Sequence, residues 1–297
     1  MEPSISVIIT CYNEAGIIGE AIESVLHQSA ISSIIQIIIV DDGSTDDSPV
    51  VIQKYQERSP LILYVYQENQ GLAGARNSGI SHVSGEYIAF LDGDDLWHPT
   101  KLEVYLGLIK RNESVGLFYS SFYQTSRQTD KRKLVVPNRY KPGLQPKQLL
   151  KKFYVHGGPL LPSTVVLKRE VLDNVGMFDI QMRKAQDTEL WLRIAGKYSF
   201  YYIDSPLVDR MGTPGSLGSD PIKKLEYMLL ALNKIEALYP FLKSLRNKRL
   251  ALVYHKISSY CLKKKRKNDS RQYAALGLKC NPWSLRSYLQ LFKSYLG

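Results

Sequence analysis

The sequence predicts an α/β protein with a mainly parallel central sheet, flanking helices and a C-terminal helical extension. Three observations carry that prediction. Apolar runs of strand length alternate with helical periodicity through the first hundred residues, the pattern of βαβ units. Each run ends in a polar cluster, and ligands of such sheets bind outside the carboxyl ends of the strands. The composition then changes: residues 223–297 hold 17 Lys and Arg against 3 Asp and Glu, whereas residues 1–222 hold 22 against 25.

In order, Ile5 to Thr10 is a buried strand that leaves through Cys11-Tyr12-Asn13-Glu14, and Ala15 to Gln28 is helical, with Ile17, Ile18, Ala21, Ile22, Val25 and Leu26 on one face. Ile34 to Val40 is a second strand, closed by Asp41-Asp42-Gly43-Ser44-Thr45. Pro49 to Arg58 is a helix with Ser48 or Asp47 as its N-cap. Leu61 to Gln67 is a third strand, and Gln70 to about Val83 a helix that opens with Gly71-Leu72-Ala73-Gly74-Ala75-Arg76-Asn77. Tyr87 to Leu91 is a fourth strand, and it runs into Asp92-Gly93-Asp94-Asp95.

In the second half, Phe118–Gln124, Lys133–Val136 and Pro162–Leu167 read as strands. Gln145–Tyr154 and Lys168–Val175 read as helices, the latter stopped by Gly176, and another helix opens at Ala185-Gln186-Asp187 with Leu190, Trp191 and Ile194 buried. Leu225–Leu238, Leu245–Leu262, Arg271–Leu278 and Pro282–Leu296 carry helical periodicity, with Lys263-Lys264-Lys265-Arg266-Lys267 in the loop before the third of these. The expected division is 1–220, itself split at about residue 100, and a basic helical extension over 221–297.

Composition bounds the function. The chain of 297 residues is 44% hydrophobic and 23% charged, ordinary for a globular protein, and has no apolar run of membrane-spanning length. The start, MEPSISVIITCYNE, lacks the pattern of a secretory signal. Cys11, Cys261 and Cys280 are odd in number and far apart, which fits a reducing compartment rather than a disulfide framework. A cytoplasmic location is expected. The net charge of +11 lies wholly in the tail, so an anionic surface is its expected partner, acidic lipid or a phosphate-bearing acceptor before a nucleic acid.

The acidic turn is the chemical focus. Asp92, Asp94 and Asp95 follow a buried strand within four residues, and hard cations such as Mg²⁺ and Mn²⁺ are held by one or two carboxylates together with substrate phosphates. Alone, such a turn is more often a solvated one whose Asp caps a helix, here one starting near Pro99, than a metal site. Four strand ends that all carry such clusters favour the ligand site. Asp41 and Asp42 suit a ribose hydroxyl and a base N–H. No Gly-x-Gly-x-x-Gly follows the first strand and no Gly-Lys-Ser/Thr loop exists, which disfavours dinucleotide and P-loop binding.

The segments SVIITCYNE, VDDGSTDDS, NQGLAGARNSG and FLDGDD, in this order and spacing, resemble the family 2 glycosyltransferases of GT-A fold over residues 4 to about 220. The resemblance implies an inverting hexosyltransferase, dependent on a nucleotide sugar, of the kind that builds cell-envelope polysaccharides, lipid-linked oligosaccharides or glycolipids. It implies Mn²⁺ or Mg²⁺ held by Asp94, with Asp92, at the Asp92-Gly93-Asp94 turn. Thr10, Tyr12, Glu14, Asp41, Asp42, Arg76, Asn77, Asp92 and Gly93 fall where the family binds the nucleotide sugar. For Arg76 the alternative is a pair with a neighbouring acid that braces the helix start.

Asp187 aligns with the family's general base, although Gln186 stands where members carry Glu. The stretch Arg210-Met211-Gly212-Thr213 lacks the His often found there; a Gly-rich loop over the donor, with Arg210 and Ser216 near phosphate, is expected in its place. A UDP-sugar donor, a carbohydrate or lipid-linked acceptor and peripheral contact with the cytoplasmic face of an anionic membrane complete the expectation, with no nucleic acid. Two rivals stand beside it: a nucleotidyltransferase, which needs a basic phosphate loop after the first strand, and a non-catalytic nucleotide-sugar-binding module.

Overall fold

The structure, a computed structural model, describes residues 2–129, 131–140, 143–158, 160–212 and 221–296. The chain forms two compact units, Met1–Leu149 with Gly158–Ser216, and Leu150–Gly157 with Leu217–Gly297.

The first unit begins with the four expected βα steps: β1 (Ile5–Cys11), α1 (Ile18–Leu26), β2 (Ile34–Asp41), α2 (Ser48–Arg58), β3 (Ile62–Tyr66), α3 (Gly71–Ser81) and β4 (Tyr87–Asp92). Then come β5 (Asp95–Trp97), α4 (Lys101–Ile109), β6 (Val115–Ser126), β7 (Arg132–Val135), α5 (Pro146–His156), which from Leu150 on belongs to the second unit, β8 (Val166–Lys168), α6 (Arg169–Val175), α7 (Gln186–Ala195) and β9 (Ser199–Gly212). Among the described residues these strands form one nine-stranded sheet in the order β3-β2-β1-β4-β8-β6-β9-β5, with β7 on β6.

The block β3-β2-β1-β4 is parallel. Beyond it the sheet is mixed: β8 runs antiparallel to β4 and β6, β9 parallel to β6, and β5 antiparallel to β9. Register brings the carboxyl ends of the parallel strands level, with Thr10 opposite Asp92, Cys11 opposite Asp41, and Asp41 opposite Tyr66. All seven residues of β1 are buried. One face of the sheet takes the apolar stripe of α1, Ile18, Ala21, Ile22 and Val25. On the other face α3 lies so near β1 that a Cβ at Gly79 would run into Ile8. The small residues of α3 thus serve close helix–strand packing.

Four local readings need correction. Asp95 does not lead into a capped helix: Asp95–Trp97 is a strand on β9, and the N-cap of α4, Thr100, makes no side-chain bond. Neither Ser48 nor Asp47 caps α2 through its side chain; Asp46 Oδ1 accepts the Ser48 N–H at 3.0 Å. Pro162–Thr164 is a 3-10 turn, and only Val166–Lys168 is strand. Val208 to Gly212, expected in a loop, ends the 14-residue β9, while residues 213–220, with Ser216, lie outside the described residues. Pro206 hid that strand in the sequence; it is accommodated where the β6/β9 register shifts around Ser121.

The second unit contains α8 (Leu225–Leu238), α9 (Arg246–Lys263), α10 (Lys267–Cys280) and α11 (Leu285–Leu296). Its core includes Ala231, Leu232, Ile235, Ile257, Cys261 and Ala274. Glu236 accepts from the Tyr154 hydroxyl and from Arg246 Nη1 at 2.8 Å. Helices α9 and α10 form a hairpin in which Ser258 Oγ donates to Ser270 O at 2.9 Å and Ser270 Oγ to Ser258 O at 3.1 Å. Among the described residues, no helix is long and apolar enough to cross a membrane.

Candidate nucleotide and cation site

The acidic turn joins β4 to β5 and is held from beneath by Ser163. The Asp92 backbone N–H donates to Ser163 Oγ at 3.1 Å, and Ser163 Oγ donates to Asp95 Oδ2 at 2.6 Å. The Ser163 carbonyl accepts from Trp97 Nε1 at 3.0 Å, so one buried residue fixes both ends of the turn. Sequence reading passed over Ser163 because it takes Pro162–Leu167 as strand. We expect Ser163→Ala to destabilise the protein by about 1–3 kcal/mol, the cost of unpairing buried polar groups, read as a lower midpoint in urea unfolding.

Gly93 is required at the centre of the turn. A Cβ there would lie 2.8 Å from Thr10 O and closer still to Glu14 Oε2. Thr10 itself is buried in the sheet, and its carbonyl accepts the Gly93 N–H at 2.9 Å. Glu14 thus points its carboxylate into the turn, where Oε2 is buried without a hydrogen-bond partner. Desolvation, then the charges of Asp94 and Asp92, pushes the Glu14 carboxyl up to about 8. Burial first, then the same two charges, raises Asp95 well above the carboxylate range. Glu14 and Asp95 thus lie beside the charges of Asp92 and Asp94, and burial first, then that repulsion, raises the two.

Arg76 is expected near the nucleotide. Its side chain is only 2% exposed, donates from Nη2 to Asp92 Oδ1 at 2.6 Å, and has its guanidinium 5.3 Å from the Phe178 ring centroid. It thus pairs with a neighbouring acid and braces the acidic turn. Asn77, expected beside it, binds the backbone of Phe178 at both ends: Nδ2 donates to Phe178 O at 2.8 Å and Oδ1 accepts the Phe178 N–H at 2.9 Å. The amide thus clamps the loop after α6. Phe178 meets Phe90 of β4 edge-on at 5.7 Å and Trp191 of α7 at 6.1 Å. This aromatic link sets the start of α7 in register with the acidic turn.

On α7, Gln186 is buried and Asp187 is partly exposed. Asp187 Oδ1 accepts the Thr188 N–H at 2.6 Å. The other acid of that first turn, Glu189, pairs with Arg193 at 2.8 Å, and Arg193 also donates to Met177 O at 2.7 Å. Trp191 is core, as expected, with its indole N–H donating to Leu160 O at 3.1 Å.

At the end of β2, Asp41 and Asp42 are both buried. Asp41 accepts the Ser44 N–H at 2.8 Å and the Tyr64 hydroxyl at 3.0 Å. Asp42 Oδ1 accepts from Gln67 Nε2 at 2.6 Å and from the Gln70 N–H at 2.9 Å, and Oδ2 from the Gly71 N–H at 2.8 Å. Asp42 therefore caps α3 from a different strand. A carboxylate offers about four lone-pair sites, so one on Oδ2 remains for a ligand.

Asn13, in the left-handed region at φ 55°, binds the β2 loop: its N–H donates to Ser44 Oγ at 2.9 Å, and Oδ1 accepts the Thr45 N–H at 2.7 Å. Beside it Tyr12 is about half exposed at the strand ends. Arg210 donates weakly to Gln124 Oε1 at 3.4 Å, and its charge reaches Asp95.

A sheet of this topology, with acidic groups gathered where its parallel strands end, is the architecture of a GT-A glycosyltransferase. The chain belongs to glycosyl transferase family 2, whose family model matches residues 6–176. The glycosyltransferase TuaG of Bacillus subtilis, named for teichuronic acid biosynthesis, is 32% identical over 80% of this chain and 90% of its own length. An uncharacterized glycosyltransferase of Nostoc sp. is 47% identical over 39% of this chain; the match spans 35% of that relative's length.

Two solved structures share the fold at low identity. The mannosyltransferase PcManGT of Pyrobaculum calidifontis, in complex with GDP-Man and Mn²⁺, aligns with TM-score 0.64 and 19% identity over 99% of this chain and 80% of its own. Residues 1–349 of S. aureus TarS, in complex with UDP-GlcNAc, align with TM-score 0.61 and 17% identity over 98% and 89%.

Proposed function

We propose that the chain transfers a sugar from a nucleoside-diphosphate sugar, of the uridine class, to a hydroxyl of a carbohydrate or lipid-linked acceptor, with inversion at the anomeric carbon. The observation that carries this reading is the crowding of Glu14, Asp92, Asp94 and Asp95 at one strand end, with the Glu14 carboxyl pushed up to about 8. Such a set repels itself when empty and suits a divalent cation. Among the described residues no three His, Cys, Asp or Glu side chains form a ready-made metal group. Mn²⁺ or Mg²⁺ held by one or two carboxylates would be completed by the donor's diphosphate.

Asp94 and Asp92 are the residues that would hold the cation. When bound, it supplies neutralisation of the charge that develops on the departing nucleoside diphosphate. The chain does the rest. Arg76 holds Asp92 in place through its Nη2 bond to Oδ1. Tyr12 offers a ring face to the base, and the remaining acceptor site of Asp42 takes a base N–H. Asp187 takes the proton from the acceptor hydroxyl as its oxygen attacks. No enzyme nucleophile enters, so a single displacement inverts the configuration. In this reading residues 1–220 are the transferase unit, and the basic extension over 221–297 faces an anionic surface.

A panel of UDP- and GDP-sugars, each with Mn²⁺ or with EDTA, tests the donor site by thermal unfolding. A ligand at a hundred times its Kd stabilises the native state by about 2.7 kcal/mol. We expect a rise in Tm for UDP-sugars with Mn²⁺ and none with EDTA. Equal protection in EDTA would remove the cation from the reading, and protection by GDP-sugars alone would remove the uridine donor.

A further inference from the structure

Helix α11 is turned with its polar face inward. Its sequence places Leu285, Tyr288, Leu289, Phe292 and Tyr295 three and four residues apart, the spacing of a single helical face. In a water-soluble helix that face is the one that packs. Here all five are exposed, Leu285 to 71% and Phe292 to 62%, and Trp283 just ahead of the helix is 93% exposed. The opposite side does the packing: Ser287 and Ser294 are fully buried, and Gln290 Nε2 donates to Ser259 Oγ of α9 at 2.9 Å. Arg271 of α10 donates to Ser294 O at 2.9 Å. The polar contacts fix the rotation of α11, so the outward turn of its aromatic face is built in.

Charge surrounds this stripe. Arg286 and Lys293, seven residues apart on α11, share one of its flanks. Antiparallel pairing of α10 and α11 sets Ser294 and Tyr295 beside Arg271. That is about one helical turn from Lys267, where the run Lys263-Lys264-Lys265-Arg266-Lys267 ends. No Asp or Glu occurs after Asp269. Aromatic residues on one face and Lys or Arg on its border are the features of a helix that lies in a membrane interface, with acyl boundary below and anionic headgroups beside it.

We propose that α11 is a monotopic membrane anchor: its face from Trp283 to Tyr295 enters the headgroup region of an anionic bilayer, and the 263–267 run, with Arg286 and Lys293, contacts the lipid phosphates. This deepens the reading above, in which the basic extension faces an anionic surface, by naming the element and the lipid partner.

The test is flotation of the full chain with vesicles of phosphatidylcholine alone or with phosphatidylglycerol added, at low and high salt. Three proteins are compared: the native chain, a Leu289→Ser/Phe292→Ser variant, and a variant with Lys263, Lys264, Lys265 and Lys267 all changed to Gln. Both altered sites are at the surface, and a Tm and a donor-binding titration matching the native chain verify the fold and the transferase unit independently. The native chain should float with the anionic vesicles and lose binding at high salt. The apolar-face variant should bind about tenfold more weakly, in keeping with the loss of buried apolar groups.

Loss of binding in the Gln variant alone, with the Ser variant unaffected, would overturn the anchor yet leave the anionic-surface reading standing. No binding by the native chain would overturn both. Light scattering that shows a dimer, dispersed by the Ser variant without any lipid binding, would overturn the proposal in favour of a second copy.

Discussion

Asp94→Asn is expected to lower kcat/KM by about a hundred- to a thousandfold, the scale on which a positioned charge acts on a developing anion, while the fold stays intact. The metal-free protein should be no less stable than the native one, because the change removes a negative charge that raises Glu14 and Asp95. What should vanish is the gain in Tm from Mn²⁺ with a nucleotide sugar. Asp92→Asn separates from it. Arg76 is 2% exposed and Asp92 22%, with 2.6 Å between Nη2 and Oδ1. Neutralising Asp92 leaves a buried guanidinium without its counter-charge, an event that costs about 3–5 kcal/mol when a pair is fully buried and less here, where Asp92 reaches solvent. The Asp92 variant should thus lose activity and stability together, the Asp94 variant activity alone. Full transfer by Asp94→Asn in the presence of EDTA would sink the assignment.

The parallel half of the fold is legible in the sequence because its signals are local. Each strand from β1 to β4 is a mostly apolar run, each ends in a polar cluster, and register then brings the clusters level. The resemblance to family 2 rested on those same ends. Illegible were the contacts that cross the chain. Ser163 lies 71 residues from Asp92, yet it holds the acidic turn at both ends. Asn77 reads as a polar residue near a ligand site, and only the tertiary structure shows its amide closed on Phe178, 101 residues away. β9 was missed because Pro206 and Asp204 break its pattern, and β5 because three residues give no periodicity. Exposure of α11 could not be foreseen at all: periodicity finds an apolar face but does not say whether that face looks inward.

Asp187→Asn is the second large effect, expected to lower kcat by about a hundred- to ten-thousandfold, the range for a positioned general base, with donor affinity unchanged. Two acids occupy the first turn of α7, and the helix N-terminus favours both electrostatically, so position alone does not choose between them. Their bonds do. Glu189 is buried and closed in a two-point pair with Arg193, which also ties down the backbone at Val175, Gly176 and Met177.

Asp187 has one oxygen on Thr188, and no bond to Oδ2 occurs among the described residues. Oδ2 is the oxygen that the proposed base role requires for the acceptor hydroxyl. Glu189→Gln should therefore lower stability, whereas Asp187→Asn should leave Tm, and its rise with Mn²⁺ and nucleotide sugar, as they are in the native protein. The decisive readout is that split: donor protection retained, transfer lost. If Asp187→Asn also lost donor protection, the residue would belong to the donor pocket; if it transferred sugar at the native rate, the base would have to be sought elsewhere on the acceptor side.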